Sequence, residues 1–579
     1  MKLVKRVVIV AVLFSTLSLL FAPAVRSAPE RAVLRNTTLL EDLTSLNPLV
    51  GNSITDWWVY MILYDRLAAY LPPDLHTEPW LAESWEVDAS GTTWTLHLVK
   101  NAVWHDGTPF TSDDVKFTYE YVKQREVSIW LDEVQDVTEV QAPDPYTVII
   151  KTTGPLSNFP SYVLARMPIV PKHVWETIDK PKEYANQNPI GSGPFKLLEY
   201  KPGEYIRFEA FDAYWKGRPQ IDELLAKIAV PSDVAVAEVK KGDLDLIGVD
   251  TPYVREVESD PNLKVSVSKG IYYDHLLLNC KKYPLSIVEF RRAMAYAIDR
   301  QELVNRVLLG HGEVVDAPGG VPGLAFWYNK EVTKYPYDVE KAKSILDELG
   351  FKDRNGDGFR ETPEGSELKI ELLNLAGYPP YVRMGDIISQ ELAQVGIRAI
   401  NRPVEWAAQS KAANERTFDV LVWGWTISPE PAQYLGTFVA KEPYWSAGEM
   451  ENQTFNDVFA QQKAELDQNK RQQLIFKLQE ILAQQLPVIP IWVMDVIEAY
   501  RADRFTGFIA MPMGIGGIYN KATWLSVRPV VTPQTTTTAQ PPPTPSPVEV
   551  VPTWVYVVVP ALIIVAVASL AALIVKRKR

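Results

Sequence analysis

The residues best placed to do chemistry lie in one short loop. Asp353-Arg354-Asn355-Gly356-Asp357-Gly358, followed by Glu364, fits the spacing D-x-[DN]-x-[DN]-G-x5-E. Alternate oxygen-bearing side chains in such a loop converge on a hard cation, and the glycine at the sixth place permits the sharp turn. The candidate calcium ligands are therefore Asp353, Asn355, Asp357 and Glu364, and the ion they would hold is structural. A helical pattern, Val339 to Leu349, precedes the loop, but GSELKIELLN after it reads as a strand. A polar hairpin of turn residues matches the same letters without an ion.

Other reactive constellations are missing. The six histidines, His76, His97, His105, His173, His275 and His311, include no pair at i, i+4 spacing, and there is no HExxH. No phosphate loop, GxSxG or dinucleotide fingerprint occurs. The carboxylate pairs Asp113-Asp114 and Asp243/Asp245 read as a helix cap and a solvated turn. A long chain without nucleophile, metal box or phosphate loop reads as a binder that requires no cofactor. The competing class is a cell-surface hydrolase or adhesin.

The elements that would position a binding site alternate between strands and helices. TTWTLHLVK (Thr92–Lys100), YTVIIK (Tyr146–Lys151), LKIELLNL (Leu368–Leu375) and FDVLVWGW (Phe418–Trp425) carry strand patterns. Helical patterns cover Val115–Lys123, capped by Ser112-Asp113-Asp114, then Val234–Lys240, Arg291–Leu309, Val339–Leu349, Val382–Val395 and Arg471–Ala483. VSVSKGIYYDHLLLNC forms one long strand region, and LPVIPIWV returns the chain to the first lobe. The class is α/β with mixed sheets.

Both ends carry membrane signals. Lys2, Lys5 and Arg6 precede an apolar run from Val7 to about Ala22 and the triplet Ala22-Pro23-Ala24, which together predict a signal peptide over residues 1–28. A Thr/Pro-rich stalk (531–552) leads to a transmembrane helix (553–575), whose uncharged stretch is Val555 to Val575, and to the basic tail 576–579. Basic residues stay on the cytoplasmic side, so the expected protein is a single-pass cell-membrane protein with its bulk extracellular. The net charge of -12 argues against nucleic acid as a partner. The lone cysteine, Cys280, leaves no internal disulfide framework and no lipid-bearing Cys after the signal peptide. Asn36-Thr37-Thr38 and Asn452-Gln453-Thr454 are glycosylation sequons.

Ordered motifs then carry a resemblance. They are LNPLV…VYMILYDRL (Leu46–Leu67), EPWLAESWEVDASGTTWTLHLVKNAVWHDGTPFTSDDVKFTYE (Glu78–Glu120), NPIGSGPFKLLEY (Asn188–Tyr200) and YWKGRPQIDEL (Tyr214–Leu224). VEFRRAMAYAIDRQELV (Val288–Val304), YDVEKAKSILDELGF (Tyr337–Phe351) and FDVLVWGW follow in order. The body resembles the extracellular solute-binding proteins of ABC importers, family 5, which includes oligopeptide- and dipeptide-binding proteins. The tail-anchored, stalked layout resembles archaeal surface binding proteins. The resemblance implies a type II periplasmic-binding-protein fold of the large variety, two lobes joined by a hinge. One lobe is discontinuous, 29–268 plus 488–530, with an extra subdomain, and the other is 269–487. It also implies capture of an oligopeptide or oligosaccharide in the interlobe cleft by closure, and delivery to a permease with its ATPase subunits.

Family position further suggests cleft residues. Asn47 in the LNP turn and Ser192 in the GSG turn would come from the first lobe, or serve only their turns. Ser428 stands about where peptide-binding relatives place an Asp for the peptide amino terminus, and Glu430 could replace it. Around Tyr378 no arginine follows the pattern of dipeptide relatives. Trp327, Trp406, Trp423 and Trp425 could offer flat faces to sugars, with Asn374, Glu405 and Gln409 as polar partners, or lie in the core.

Overall fold

The computed structural model describes residues 31–39, 41–439 and 450–530. The expected signal peptide, stalk, membrane span and basic tail lie outside these residues. Among the described residues, no helix is long and apolar enough to cross a membrane.

Period-two runs fold as strands, among them Thr93–Leu98, Lys369–Leu375 and Val420–Thr426. One expected helix splits into Val288–Ala297 and Arg300–Val307. Asp299 causes the break: its carboxylate accepts the Glu302 N–H at 3.0 Å, and an N-cap residue cannot itself be helical. The helix Ser112–Gln124 is capped by Thr111 rather than by Ser112, with the Asp114 carboxylate accepting the Thr111 N–H at 2.9 Å.

Two long antiparallel strands, Leu263–Leu278 and Val488–Arg501, run through the middle of an eleven-stranded mixed sheet. Leu263–Lys269 pairs with Arg501–Asp495, in the half of the sheet that includes Val33–Leu39 and Leu246–Gly248. After a register shift, Tyr273–Leu277 pairs with Val493–Val488 and, on its other edge, with Val420–Thr426. The shift is a local bend between the halves. At Gly270, inside it, a Cβ would run into the Met494 carbonyl oxygen, so the two backbones touch there. The first passage between halves falls at Lys269–Tyr273. The return lies within the second strand, at Val493–Asp495, since Ile489, Ile491 and Trp492 still pack in the core of the second half.

Apolar burial follows this division. Leu276, Phe290, Leu346, Ile388, Val420 and Trp492 belong to one core, and Leu34, Trp58, Phe208, Leu224 and Trp524 to another. A separate four-stranded sheet (Ala82–Val87, Thr93–Leu98, Thr147–Thr152, Val137–Asp144) stands beside the large one. Its core, built on Trp80, Trp94, Trp104 and Trp130, continues into Ile427, Tyr434, Leu435 and Leu478 of the second half. Polar contacts cross at the same place: Ser157 donates from N to the Lys463 carbonyl at 2.8 Å and from Oγ to the Gln462 carbonyl at 2.7 Å. The two halves therefore belong to one compact unit ending at Val530. Asn36 is fully buried in its strand, which closes its sequon to glycosylation once the sheet forms.

Candidate functional site

A cavity of about 450 Å³ opens where the two halves face each other. One wall is aromatic and comes from the second half. Trp423 and Trp425 alternate along Val420–Thr426 and so share a face of the strand. Trp406 opens the helix Trp406–Glu415, is 54% exposed, and stacks on Trp423 with ring centroids 5.4 Å apart. Trp425 leans on Tyr434 at 6.3 Å, and Gln433 adds an amide to the wall.

The facing wall comes from three separate stretches of chain. Asn52 and Trp57 stand at the start of the helix Ile54–Leu63, which is held by a reciprocal cap: Asp56 N–H to Ser53 Oγ at 3.1 Å, and Ser53 N–H to the Asp56 carboxylate at 2.8 Å. Tyr519 comes from the C-terminal segment. Arg166 follows the helical turn Phe159–Leu164. Its guanidinium lies 4.7 Å from the Tyr162 ring and 5.5 Å from the Trp57 ring, and it is ion-paired to Glu133. A second cavity of about 460 Å³ shares Trp425 and Gln433 and runs on past Asp132, Glu133, Asp136 and Lys463. Together they line a groove with indole faces, amides, Arg166 and Lys463, and the carboxylates of Asp132, Glu133 and Asp136. Such a surface stacks on flat groups and hydrogen-bonds polar ones. Among the described residues lining the first cavity there is no histidine or carboxylate to serve as a base. A larger cavity, about 830 Å³, is lined only by residues before position 210, including Leu43–Leu46 and Lys196–Tyr200, so closure of the halves cannot seal it.

The structure sorts the sequence-derived site residues into two groups. Trp406, Trp423, Trp425 and Ser428 come together in the cavity wall. Four others stand elsewhere. Asn47 is fully buried, its amide donating to the Pro181 and Tyr184 carbonyls, both at 2.7 Å, and its oxygen accepting the Leu49 N–H at 2.8 Å. Ser192 is fully buried, and its Oγ accepts the Asp65 N–H at 3.0 Å. These two residues tie turns together and leave no group for a solute. Asn374 is buried and donates to Asn401. Tyr378 precedes the helix Pro379–Gln394, with its hydroxyl 3.7 Å from the Met494 sulfur.

Of the supporting residues, Gln409 is buried and donates to the Val422 carbonyl at 3.1 Å, and Glu405 precedes its helix at the N-cap position without a side-chain cap bond. Trp327 packs on the core beneath the Arg471 guanidinium, 5.1 Å away. Glu430 cannot receive an amino terminus. It is buried, ion-paired to Arg471 through two nitrogens, and accepts Ser161 Oγ at 2.7 Å and the Ala432 N–H at 3.0 Å. Arg166, Trp57 and Tyr519 carry no signal in the sequence. No local pattern separates a groove arginine from a surface one; only the chain path from residue 57 to 166 to 519 brings them together.

The acidic loop folds on itself. Asp353 accepts the Gly356 and Gly358 N–H groups at 2.7 and 2.9 Å, and Gly358 takes the left-handed conformation (φ 88°) that the turn needs. The carboxylates that approach one another are Asp353, Asp357 and Glu361. Glu364 is not among them, because Pro363 and the turn at Gly365 carry it toward the Tyr283 hydroxyl, 3.4 Å away. Asn355 accepts the Asp357 N–H at 2.8 Å. Arg398 pairs with Asp357 at 3.0 Å and partly offsets the loop's charge.

Residues 76–446 match the family described as Bacterial extracellular solute-binding proteins, family 5 Middle. The oligopeptide-binding protein AppA of Bacillus subtilis is 31% identical over 361 residues, which span 61% of this chain and 66% of that protein. The dipeptide-binding protein of Escherichia coli is 29% identical over 484 residues, 78% of this chain and 87% of that protein. Among solved structures, Bacillus subtilis AppA in complex with a nonapeptide superimposes with a TM-score of 0.70 at 26% identity, covering 86% of this chain and 100% of that one. An oligopeptide-binding protein of Thermotoga maritima with bound mannohexaose gives a TM-score of 0.69 at 26% identity, covering 87% and 100%.

Proposed function

The chain belongs to the bacterial extracellular solute-binding proteins of family 5, and on that premise we propose that it captures an oligopeptide or oligosaccharide solute in the groove between its halves and hands it to the permease of an ABC importer. The observation that carries this reading is the two-sided cavity. Trp406, Trp423, Trp425 and Gln433 face Asn52, Trp57, Arg166 and Tyr519 across it. The two strands that join those halves change register beside it, at Lys269–Tyr273. A solute touching both walls favours the closed form by its differential contacts. The nonapeptide and mannohexaose held by two structural relatives support both solute classes.

The reading includes capture without turnover, and a body held outside the cell by the apolar segment Val555–Val575; this anchor rests on sequence alone. Calcium belongs to it only as a structural ion at Asp353, Asp357 and Glu361, and a rise in melting temperature with calcium but not magnesium tests that part.

The principal test is a thermal-shift screen of the purified full-length chain against peptide and saccharide pools. A solute that binds only the folded state stabilises it by mass action, by about 2.7 kcal/mol at a hundredfold excess over Kd, and so raises the melting temperature. Trp425→Ala should abolish the shift. Release of a product from the bound solute, or no shift with any pool, refutes the reading.

A further inference from the structure

The chain holds two N-x-[ST] sequons, and the fold treats them oppositely. Asn36 lies inside the strand Val33–Leu39, which runs between Glu223–Ile228 and Leu246–Gly248. Ala226 is its partner on one side and Leu246 on the other. Its side chain is fully buried, and Thr37 is buried beside it. A glycan there has no path to solvent once the flanking strands and the core close on it. A chain modified at Asn36 before folding could not complete this pairing.

Asn452 is presented differently. It precedes the helix Gln453–Ala464 as its N-cap, in an extended backbone conformation (φ -135°, ψ 104°), and is half-buried. Gln453 and Thr454, which complete the sequon, are exposed. The Asn452 Oδ1 accepts the Phe455 N–H at 3.0 Å. Its Nδ2 donates to none of the described residues and reaches the surface. The amide is thus divided: the oxygen holds the helix, and the nitrogen is left for chemistry. N-glycosylation uses only that nitrogen and leaves the carbonyl oxygen in place, so the cap bond survives the modification. Helix ends fray, which lets Gln453 and Thr454 be read in extended form by a modifying enzyme.

We propose that Asn452 is an N-glycosylation site and that Asn36 is not. The donor is a lipid-linked glycosyl diphosphate, used by a transferase on the outer side of the membrane. Nδ2 forms the bond to the sugar C1, the bond from C1 to the diphosphate oxygen breaks, and Nδ2 loses one proton as the lipid diphosphate leaves. The inference rests on the body lying outside the cell and is independent of which solute the groove takes.

The test is peptide mass spectrometry on the full-length chain purified from the membranes of its native host. The peptide containing Asn452 should carry a glycan mass in most molecules, and the peptide containing Asn36 should carry none. Asn452→Asp keeps a capping oxygen but offers no amide, and Thr454→Val keeps Asn452 but removes the sequon hydroxyl. Each should abolish the added mass, while Thr454→Ser should retain it. An unmodified Asn452 in the unaltered chain overturns the inference, and so does a glycan at Asn36; neither observation needs a variant to fold. Added mass that survives Asn452→Asp places the modification elsewhere and removes this residue. Protease treatment of intact cells separates the premise from the site. A body digested from outside, with Asn452 bare, sinks the site alone, whereas a body protected from the protease removes the outside placement and the inference with it.

Discussion

Asp274 gives the sharpest test of how the second half is held beside the register shift. Its side chain is fully buried, and its two oxygens accept the Tyr381 hydroxyl at 2.6 Å and Trp492 Nε1 at 2.7 Å. Burial pushes its pKa up from 3.8 to about 7, with both hydrogen bonds pulling the other way. Between those values the folded protein keeps a proton that the unfolded chain has released. Below about pH 4 both states are protonated, and no penalty applies. Stability then falls as pH rises, and above about pH 7 both states are ionised and the full penalty stands. A shift of about three units at 1.36 kcal/mol each makes that penalty about 4 kcal/mol.

Asp274→Asn removes the charge and the slope. It also leaves one of the two donors facing an amide nitrogen, which costs about 1–3 kcal/mol at every pH. The variant should therefore be less stable than the parent near pH 4 and as stable or more stable near pH 8. Urea unfolding of both proteins at four pH values across that range reads the difference. Glu498 and Glu391, whose burial raises their pKa values to about 7 and about 8, add slopes of their own. Those slopes cancel between parent and variant. Curves that stay parallel refute the account of Asp274 as a carboxylate kept neutral by burial.

Three further outcomes are expected. Glu430→Gln leaves the buried Arg471 guanidinium without its counter-charge and should lower unfolding free energy by about 3–5 kcal/mol in denaturant titration; a loss under about 1 kcal/mol would show that water reaches the pair. Gly270→Ala places a methyl group against the Met494 carbonyl and should cost about 1–3 kcal/mol and weaken solute binding, whereas an unchanged melting temperature would mean the two strands separate freely there. Trp406→Ala, at an exposed ring, should change stability by no more than about 0.5 kcal/mol yet reduce solute affinity by about tenfold; intact affinity removes that ring from the site.

Much of the scaffold is legible in the amino-acid sequence. Apolar alternation in LKIELLNL and FDVLVWGW locates two adjacent strands, because one face of each must be buried. The long run VSVSKGIYYDHLLLNC locates the strand that joins the halves. The break at Asp299 is present in the letters as a capping residue within an apolar period, and the period hides it. The spacing of the acidic loop marks it out, but its third carboxylate is Glu361 rather than Glu364, since a proline and a turn redirect the chain after residue 361.

The amino-acid sequence alone determined which segments become strands and helices, because periodicity and capping are local properties of neighbouring residues. It also puts the indoles at 423 and 425 on one face of their strand, whereas the stacking of Trp406 on Trp423 is a tertiary contact. Tertiary structure alone decided what those indoles face. Asn47 and Ser192 went to tying turns, while Arg166, Trp57 and Tyr519 converged on the groove from three separate stretches of chain. That convergence depends on packing between segments hundreds of residues apart, and no local pattern in the chain encodes such packing.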